Sequence, residues 1–336
     1  MRTAVIGTGS WGTSLSVLLA RNGHDVTLAG RDPEEVSMVA HARENLRYLP
    51  GFVIPDGVTS TLVSELENGF DAWIIAVPSG AVGEVLPHIT DPEPVVVLAS
   101  KGLEPGTGRP LSAVVEEHLA GRGSVAALSG PNLAIELMKG IPTATVIASR
   151  DEAVAERLAG AFNCRSLRAY LSADVVGVEM AGALKNIFAI GAGMSDGLEF
   201  GDNTKGALVA RGLLEMTRLG VMMGAQVETF FGIAGVGDLF ATANSKLSRN
   251  YRLGVSLAKG QTLEQALEEL GQVAEGAATA QAAAVLARRN GVPVPIMDMI
   301  DSVIRGKLLP RDGVAMLMDR MPKREGWETV DLASLN

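Results

Sequence analysis

Hydrophobic positions along this chain follow two different periods, and the change from one to the other divides it. Ala4, Val5 and Ile6 form a short apolar run. Leu15, Leu18 and Leu19 then recur at helical spacing up to an Asn22-Gly23 stop, and a second strand-like run ends on the basic Arg31. Apolar runs of strand length return at residues 72–77, 95–99, 125–128 and 144–148, separated by helical or Gly/Pro-rich segments. That alternation builds a mostly parallel sheet covered by helices. From about Asp174 the β-branched runs stop, and Ala, Leu, Met and Gly at helical spacing take over. The pattern predicts an α/β chain with a doubly wound, mostly parallel sheet over residues 1–173 and an all-helical domain over residues 174–336. A length of 336 residues exceeds one comfortable core and agrees with two domains.

Between the first strand and its helix, Gly7, Gly9 and Gly12 give the spacing G-x-G-x-x-G, with Ser10 and Trp11 inside it. In a Rossmann-type unit the first glycine permits the tight turn, the second lets a pyrophosphate approach bare backbone, and the third lets the helix sit close on the sheet. The N–H groups at the helix start then face the anion. A secretory signal is the rival reading, because residues 3–20 carry no charge and follow Arg2. Half of them are Gly, Ser or Thr, however, and cleavage would remove the loop itself. The expectation is a cytoplasmic protein. Arg31 stands where an NAD-selective site carries an acidic residue, so its guanidinium suits a 2′-phosphate, while the adjacent Asp32 leaves both NADH and NADPH open.

Charge and composition narrow the partners. A net charge of −9 sets up no field for nucleic acid or anionic membrane, so an anionic substrate must meet a local basic cluster. The single Cys164 excludes an internal disulfide, and the four histidines show no metal-binding spacing, so no metal site is expected. The longest weakly charged stretch, residues 178–194, is interrupted by Glu179, Lys185 and Asn186, which argues against a membrane span. Lys323, Arg324 and Glu325 read as a solvated tail.

Ligands of open parallel sheets bind beyond the carboxyl ends of the strands. Those ends carry Arg31, Pro78 with Ser79, Lys101 with Gly102, and Gly130-Pro131-Asn132. Asn132 most simply caps a helix over residues 133–139. Redox chemistry at an alcohol carbon needs a group that gives and takes a proton, and no histidine follows residue 118. Lys185 is the best candidate. It lies on a helix rich in small apolar residues, and partial desolvation there moves an ammonium pKa toward neutrality. Glu179, six residues earlier, lies off its face. Asp238, after a glycine-rich approach, reads as a helix cap or as a group that orients Lys185. Arg249 offers a planar fork for phosphate or carboxylate.

In order along the chain, the segments G-T-G-S-W-G-T, A-V-P-S, S-K-G-L-E, S-G-P, A-L-K-N-I-F-A-I-G-A-G-M-S-D-G, N-T-K-G-A-L, G-V-G-D-L, S-R-N and V-A-E-G resemble the bacterial-type NAD(P)-dependent glycerol-3-phosphate dehydrogenase family. The resemblance implies a 6-phosphogluconate dehydrogenase-like fold, a homodimer, and interconversion of dihydroxyacetone phosphate and sn-glycerol 3-phosphate for phospholipid synthesis. By the same resemblance Lys185 is the proton donor and acceptor. Lys101, Gly130, Asn132, Asn186, Asp238, Ser248, Arg249 and Asn250 are at the substrate. The implied cofactor contacts are Gly7, Gly9, Ser10, Trp11, Gly12, Arg31, Pro78, Lys101, Ala134, Arg249, Val273 and Glu275. One departure stands out: Asn132 and Leu133 occupy positions where the family usually has Thr or Ser followed by Phe. The related 3-hydroxyacid dehydrogenases place an asparagine four residues after the lysine, whereas position 189 here is alanine. A ketopantoate-type reductase and a noncatalytic dinucleotide sensor are the alternatives.

Overall fold

The computed structural model describes residues 1–321, so the Lys323–Glu325 tail lies outside the described residues. The strands are β1 (Arg2–Ile6), β2 (Asp25–Gly30), β3 (Glu44–Asn45), β4 (Leu49–Val53), β5 (Val58–Leu62), β6 (Ala72–Ile75), β7 (Val95–Leu98), β8 (Ser124–Ser129), β9 (Thr143–Ser149) and β10 (Leu167–Ser172). Helices α1 (Ser10–Arg21), α2 (Pro33–Ala42), α3 (Val82–Val85), α4 (Leu111–Leu119), α5 (Ala134–Met138) and α6 (Glu152–Phe162) lie among them. Among the described residues every later element is helical: α7 (Val175–Gly197), α8 (Gly201–Met222), α9 (Val227–Phe231), α10 (Asp238–Ala243), α11 (Arg249–Ala258), α12 (Leu263–Leu270), α13 (Glu275–Arg289), α14 (Pro295–Ile304) and α15 (Pro310–Met318).

The main sheet has the order β10-β9-β8-β7-β6-β1-β2-β5, and β3 pairs with β4 in a separate hairpin. Neighbours are parallel except where β9 runs against β8. Strand order reverses beside β1, which has β2 on one side and β6 on the other. The crevice at such a switch point is where an open α/β sheet holds its ligand. The interior strands are apolar on both faces, as helix-covered parallel strands must be.

The apolar runs of the sequence become β6, β7, β8 and β9 with ends shifted by one or two residues. Three strand regions were not anticipated: β5, β10 and the β3–β4 hairpin. β5 (V-T-S-T-L) and β10 (L-R-A-Y-L-S) are the two edges of the sheet and are largely open to solvent on their outer side, so they need few apolar residues.

Helix α7 is the axis of the helical half. Asp174 caps it by accepting from Gly177 N at 2.8 Å, and the same carboxylate accepts from Gln226 N at 2.9 Å, which ties the start of α9 to it. By length and composition α7 is apolar enough to cross a bilayer, yet nearly all of it is enclosed by protein. The enclosing residues come from α8, α10, α11, α13 and α14 in one continuous core.

Candidate active site

The glycine loop has the shape its spacing requires. Gly7 adopts φ +125°, and a Cβ there would meet Ala76 O at 2.6 Å; a Cβ at Gly12 would meet Gly7 O at 2.0 Å. A Cβ at Gly9, by contrast, would meet nothing within 4 Å. The open side of the loop therefore lies at the start of α1, where the unpaired N–H groups of the first turn suit a pyrophosphate. Trp11 donates its indole N–H to Ala99 O at 3.1 Å and so ties this helix start to the end of β7. The residues present fit a dinucleotide.

Across the crevice stands α7. A Cβ at Gly182 would lie 2.3 Å from Ser129 Oγ and 3.2 Å from Ser129 Cβ, so glycine lets α7 rest close on the end of β8. One turn further along, Lys185 is 6% exposed. Its Nζ donates to Asp238 Oδ1 at 2.8 Å and to Thr242 Oγ1 at 2.6 Å. The other oxygen of Asp238 accepts from Lys101 Nζ at 2.7 Å, and Lys101 also donates to Gly130 O at 2.9 Å. One carboxylate thus bridges two ammonium groups, one from each half of the molecule.

Burial is the main reason the Lys185 pKa falls to about 8; Asp238 opposes the fall, and the Lys101 charge adds to it. For Asp238, burial pushes the pKa up, but the ammonium groups of Lys101 and Lys185 outweigh burial and hold it below its ordinary value. The carboxylate stays ionised and Lys185 titrates near neutrality, as an acid and base working near pH 7 must.

Asparagines carry the network onward. Asn186 donates to Lys101 O at 3.2 Å and accepts from Asn250 Nδ2 at 2.8 Å, while Asn250 Oδ1 accepts from Gly276 N at 2.9 Å. Glu275, at the start of α13, accepts from Ser79 N at 3.2 Å and Ser79 Oγ at 2.7 Å, closing the helical half onto the end of β6. Arg249 is half-buried at the first position of α11. Desolvation lowers its pKa, partly offset by Glu275 and Tyr48, both near enough to act on it.

Other anticipated residues have different duties. Asn132 does not cap α5: the helix starts at Ala134 behind Leu133, and Asn132 Nδ2 instead donates to Ala144 O at 2.9 Å. Asp238 is not a helix cap either, because Gly237 holds that position and both carboxylate oxygens are taken by lysines. Ser248 is the cap of α11, accepting from Tyr251 N at 3.2 Å. Asp32 caps α2 through Glu34 N at 2.9 Å, which leaves Arg31, exposed beyond β2, as the charged group at the strand end. Pro78 and Val273 are exposed at the crevice rim, and Ala134 opens α5 beside α1, its carbonyl accepting from Ser14 Oγ at 3.4 Å.

Two contributors, Thr242 and Tyr48, carry no signal in the sequence, and a third, Ser79, shows there only as a strand end. Thr242 stands four residues after Asp238, a spacing that puts both on one helix face once Asp238 is inside the helix. Tyr48, on the β3–β4 hairpin, donates to Glu35 Oε1 at 3.2 Å, and Glu35 Oε2 accepts from Thr8 Oγ1 at 2.8 Å within the glycine loop. No local pattern announces that hairpin.

A dinucleotide crevice facing a buried, ion-paired lysine suits a nicotinamide-dependent oxidoreductase. The model of the NAD-dependent glycerol-3-phosphate dehydrogenase N-terminus matches residues 2–155, and that of the C-terminus matches residues 174–315. The glycerol-3-phosphate dehydrogenase [NAD(P)+] of Stenotrophomonas maltophilia (strain K279a) is 42% identical over 335 residues, 98% of each chain. That of Geobacter sp. (strain M21) is 44% identical over 331 residues, 97% of this chain and 99% of the relative. The crystal structure of the Coxiella burnetii glycerol-3-phosphate dehydrogenase superposes with a TM-score of 0.91 at 35% identity, covering 95% of this chain and 99% of that one. The chain belongs to the NAD-dependent glycerol-3-phosphate dehydrogenase family.

Proposed function

We propose that the protein interconverts dihydroxyacetone phosphate and sn-glycerol 3-phosphate with NADH or NADPH, in the cytoplasm and as a homodimer, and so supplies glycerol 3-phosphate for phospholipids. On this reading residues 1–173 hold the dinucleotide and residues 174–336 the substrate. The observation that carries it is the Lys185–Asp238–Lys101 set opposite the glycine loop, with Lys185 and Asp238 buried and Lys101 half-buried. When bound, the nicotinamide supplies the electron pair and hydrogen that reach the carbonyl carbon.

The protein does the rest. Lys185, as ammonium, gives its proton to the carbonyl oxygen during reduction and takes it back as neutral amine during oxidation. Asp238 stays ionised throughout and aims that amine. Lys101, held by Gly130 O and Asp238, places a second positive charge where the oxygen gains negative charge. Arg249, with Asn250 behind it at the start of α11, receives the phosphate; Asn250 is already fixed by Asn186 and Gly276. Arg31 meets the 2′-phosphate when NADPH is bound.

The test is direct. Purified protein mixed with NADPH and dihydroxyacetone phosphate loses nicotinamide absorbance. Absence of that loss at every pH from 6 to 9 favours a dinucleotide sensor and ends the reading.

A further inference from the structure

Glu179 is buried on α7, six residues before Lys185. Its carboxylate lies at the N-terminus of α4, in the other half of the molecule. Oε1 accepts from Leu111 N and from Ser112 N at 3.2 Å, and Oε2 accepts from Ser112 N at 3.1 Å. The position that normally supplies a helix cap is Pro110, whose side chain has nothing to offer. A residue from the helical half therefore does for α4 what its own preceding residue does not.

The segment joining Lys101 to that helix start is short and cross-braced. Leu103 pairs with Pro110, Glu104 N donates to Arg109 O at 2.9 Å, and Gly108 N donates to Glu104 O at 2.9 Å. It also lies against α13, where a Cβ on Gly108 would meet Ala282 O at 2.7 Å. At its near end, Lys101 O is held by Asn186, the residue next to Lys185. Helix α7 thus grips this segment at both ends, with Asn186 near the site and Glu179 about 10 Å back along the helix axis.

We propose that Glu179 is a positioning residue for the reaction: by clamping the start of α4 to α7 it fixes where the Lys101 ammonium stands relative to Lys185. This rests on the dehydrogenase reading above and deepens it. The charged groups that act on Lys185 are Asp238 from α10, Lys101 from this segment and Arg249 from α11, and the charged group that acts on Glu179 is Glu116 of α4. If Lys101 drifts away, Lys185 loses a neighbouring positive charge and gains a larger share of Asp238. Its pKa then rises.

The experiment uses the full chain with Glu179→Leu, Glu179→Gln and the pair Glu179→Leu with Pro110→Ser. Folded content is followed by circular dichroism, and kcat, KM and the pH profile by nicotinamide absorbance. Glu179→Leu is expected to lower kcat by about tenfold to a hundredfold, the scale of a reacting group misplaced by an ångström or less. The alkaline limb of its reduction profile is expected to move to higher pH. Glu179→Gln should recover most of the loss, because a single amide oxygen can accept from both backbone N–H groups, as Oε1 does now. Adding Pro110→Ser gives α4 its own cap, so thermal stability should return while kcat stays low.

A folded Glu179→Leu protein with unchanged kcat and an unshifted alkaline limb overturns the proposal. So does recovery of kcat by Pro110→Ser, which reduces Glu179 to a helix cap. Failure of the unaltered protein to reduce dihydroxyacetone phosphate counts against the functional reading instead.

Discussion

The two halves of the molecule bring different kinds of group to one crevice. The sheet half contributes mainly backbone: the bare loop at Gly9, the carbonyl of Gly130 and the amide of Ser79, with Lys101 as its one ammonium in the network. The helical half contributes side chains, namely Lys185, Asn186, Asp238, Thr242, Asn250 and Glu275, nearly all buried and hydrogen-bonded to one another or to the opposite half. The difference follows from what each half must hold. A dinucleotide's phosphates can be met by helix-start N–H groups with no side chain at all. Moving a proton on a small substrate needs a titratable group whose pKa is set by burial and by neighbours.

Changes in the buried network around Lys185 should therefore act on chemistry, and changes at the coenzyme side of the sheet half on binding. The largest effect is expected for Lys185→Ala: kcat lower by about 10²- to 10⁴-fold, the usual contribution of a general acid, with NADPH binding retained in a fluorescence titration. Loss of both together would dissolve the distinction.

Next comes Asp238→Asn, which leaves the buried Lys185 ammonium and the half-buried Lys101 ammonium facing each other without a counter-charge. Breaking a buried ion pair costs about 3–5 kcal/mol, so the melting temperature should fall sharply. The Lys185 amine should also lose its proton at lower pH, read as an acid-ward shift of the alkaline limb. A melting temperature equal to that of the parent protein would show that the bridging carboxylate does not carry the charge balance.

Arg249→Ala tests the phosphate site from the helical side. KM for the phosphorylated substrate should rise roughly thirtyfold, about 2 kcal/mol, with kcat changed far less. Equal reduction of unphosphorylated dihydroxyacetone by the parent protein would refute that role.

The pH dependence has a definite sign. Because burial brings the Lys185 pKa down to about 8, the donor ammonium is present below that value and lost above it. Reduction, followed as kcat/KM, should decline as pH rises through about 8, and oxidation, which needs the neutral amine, should increase over the same interval. Profiles that move in the same direction in both reactions would assign the proton to another group.

The smallest effect is expected in the sheet half. Replacing exposed Arg31 by a neutral residue should raise KM for NADPH relative to NADH by a few-fold, on the order of 1 kcal/mol for a solvent-facing ion pair. An unchanged ratio removes Arg31 from coenzyme choice.

How far the site could be read before folding differs in the same way. The glycine spacing, the strand after it and Lys185 on an apolar helix are local patterns, and each was legible. Even so, Asn132 reads as a cap, and Asp238 reads equally as a cap or as a group that orients Lys185. The cap reading failed because short polar residues at a helix start look alike whether they accept from the next turn or reach across the molecule. Lys185 finds its partners 53 and 57 residues further along the chain, and Asn186 finds one 64 residues further and one 85 residues back, and nothing local marks such pairings.

The sequence by itself determined the class of each half, the turn that receives a dinucleotide, and the one lysine too deeply placed to be surface decoration. Periodicity and glycine spacing are properties of neighbouring residues, so they survive without a fold. Only tertiary structure decided that Asp238 lies between two lysines, that Glu275 closes on Ser79, and that Glu179 grips the far end of the segment bearing Lys101. Those are distances between residues far apart in the chain, and they exist only after α7 has packed against the sheet.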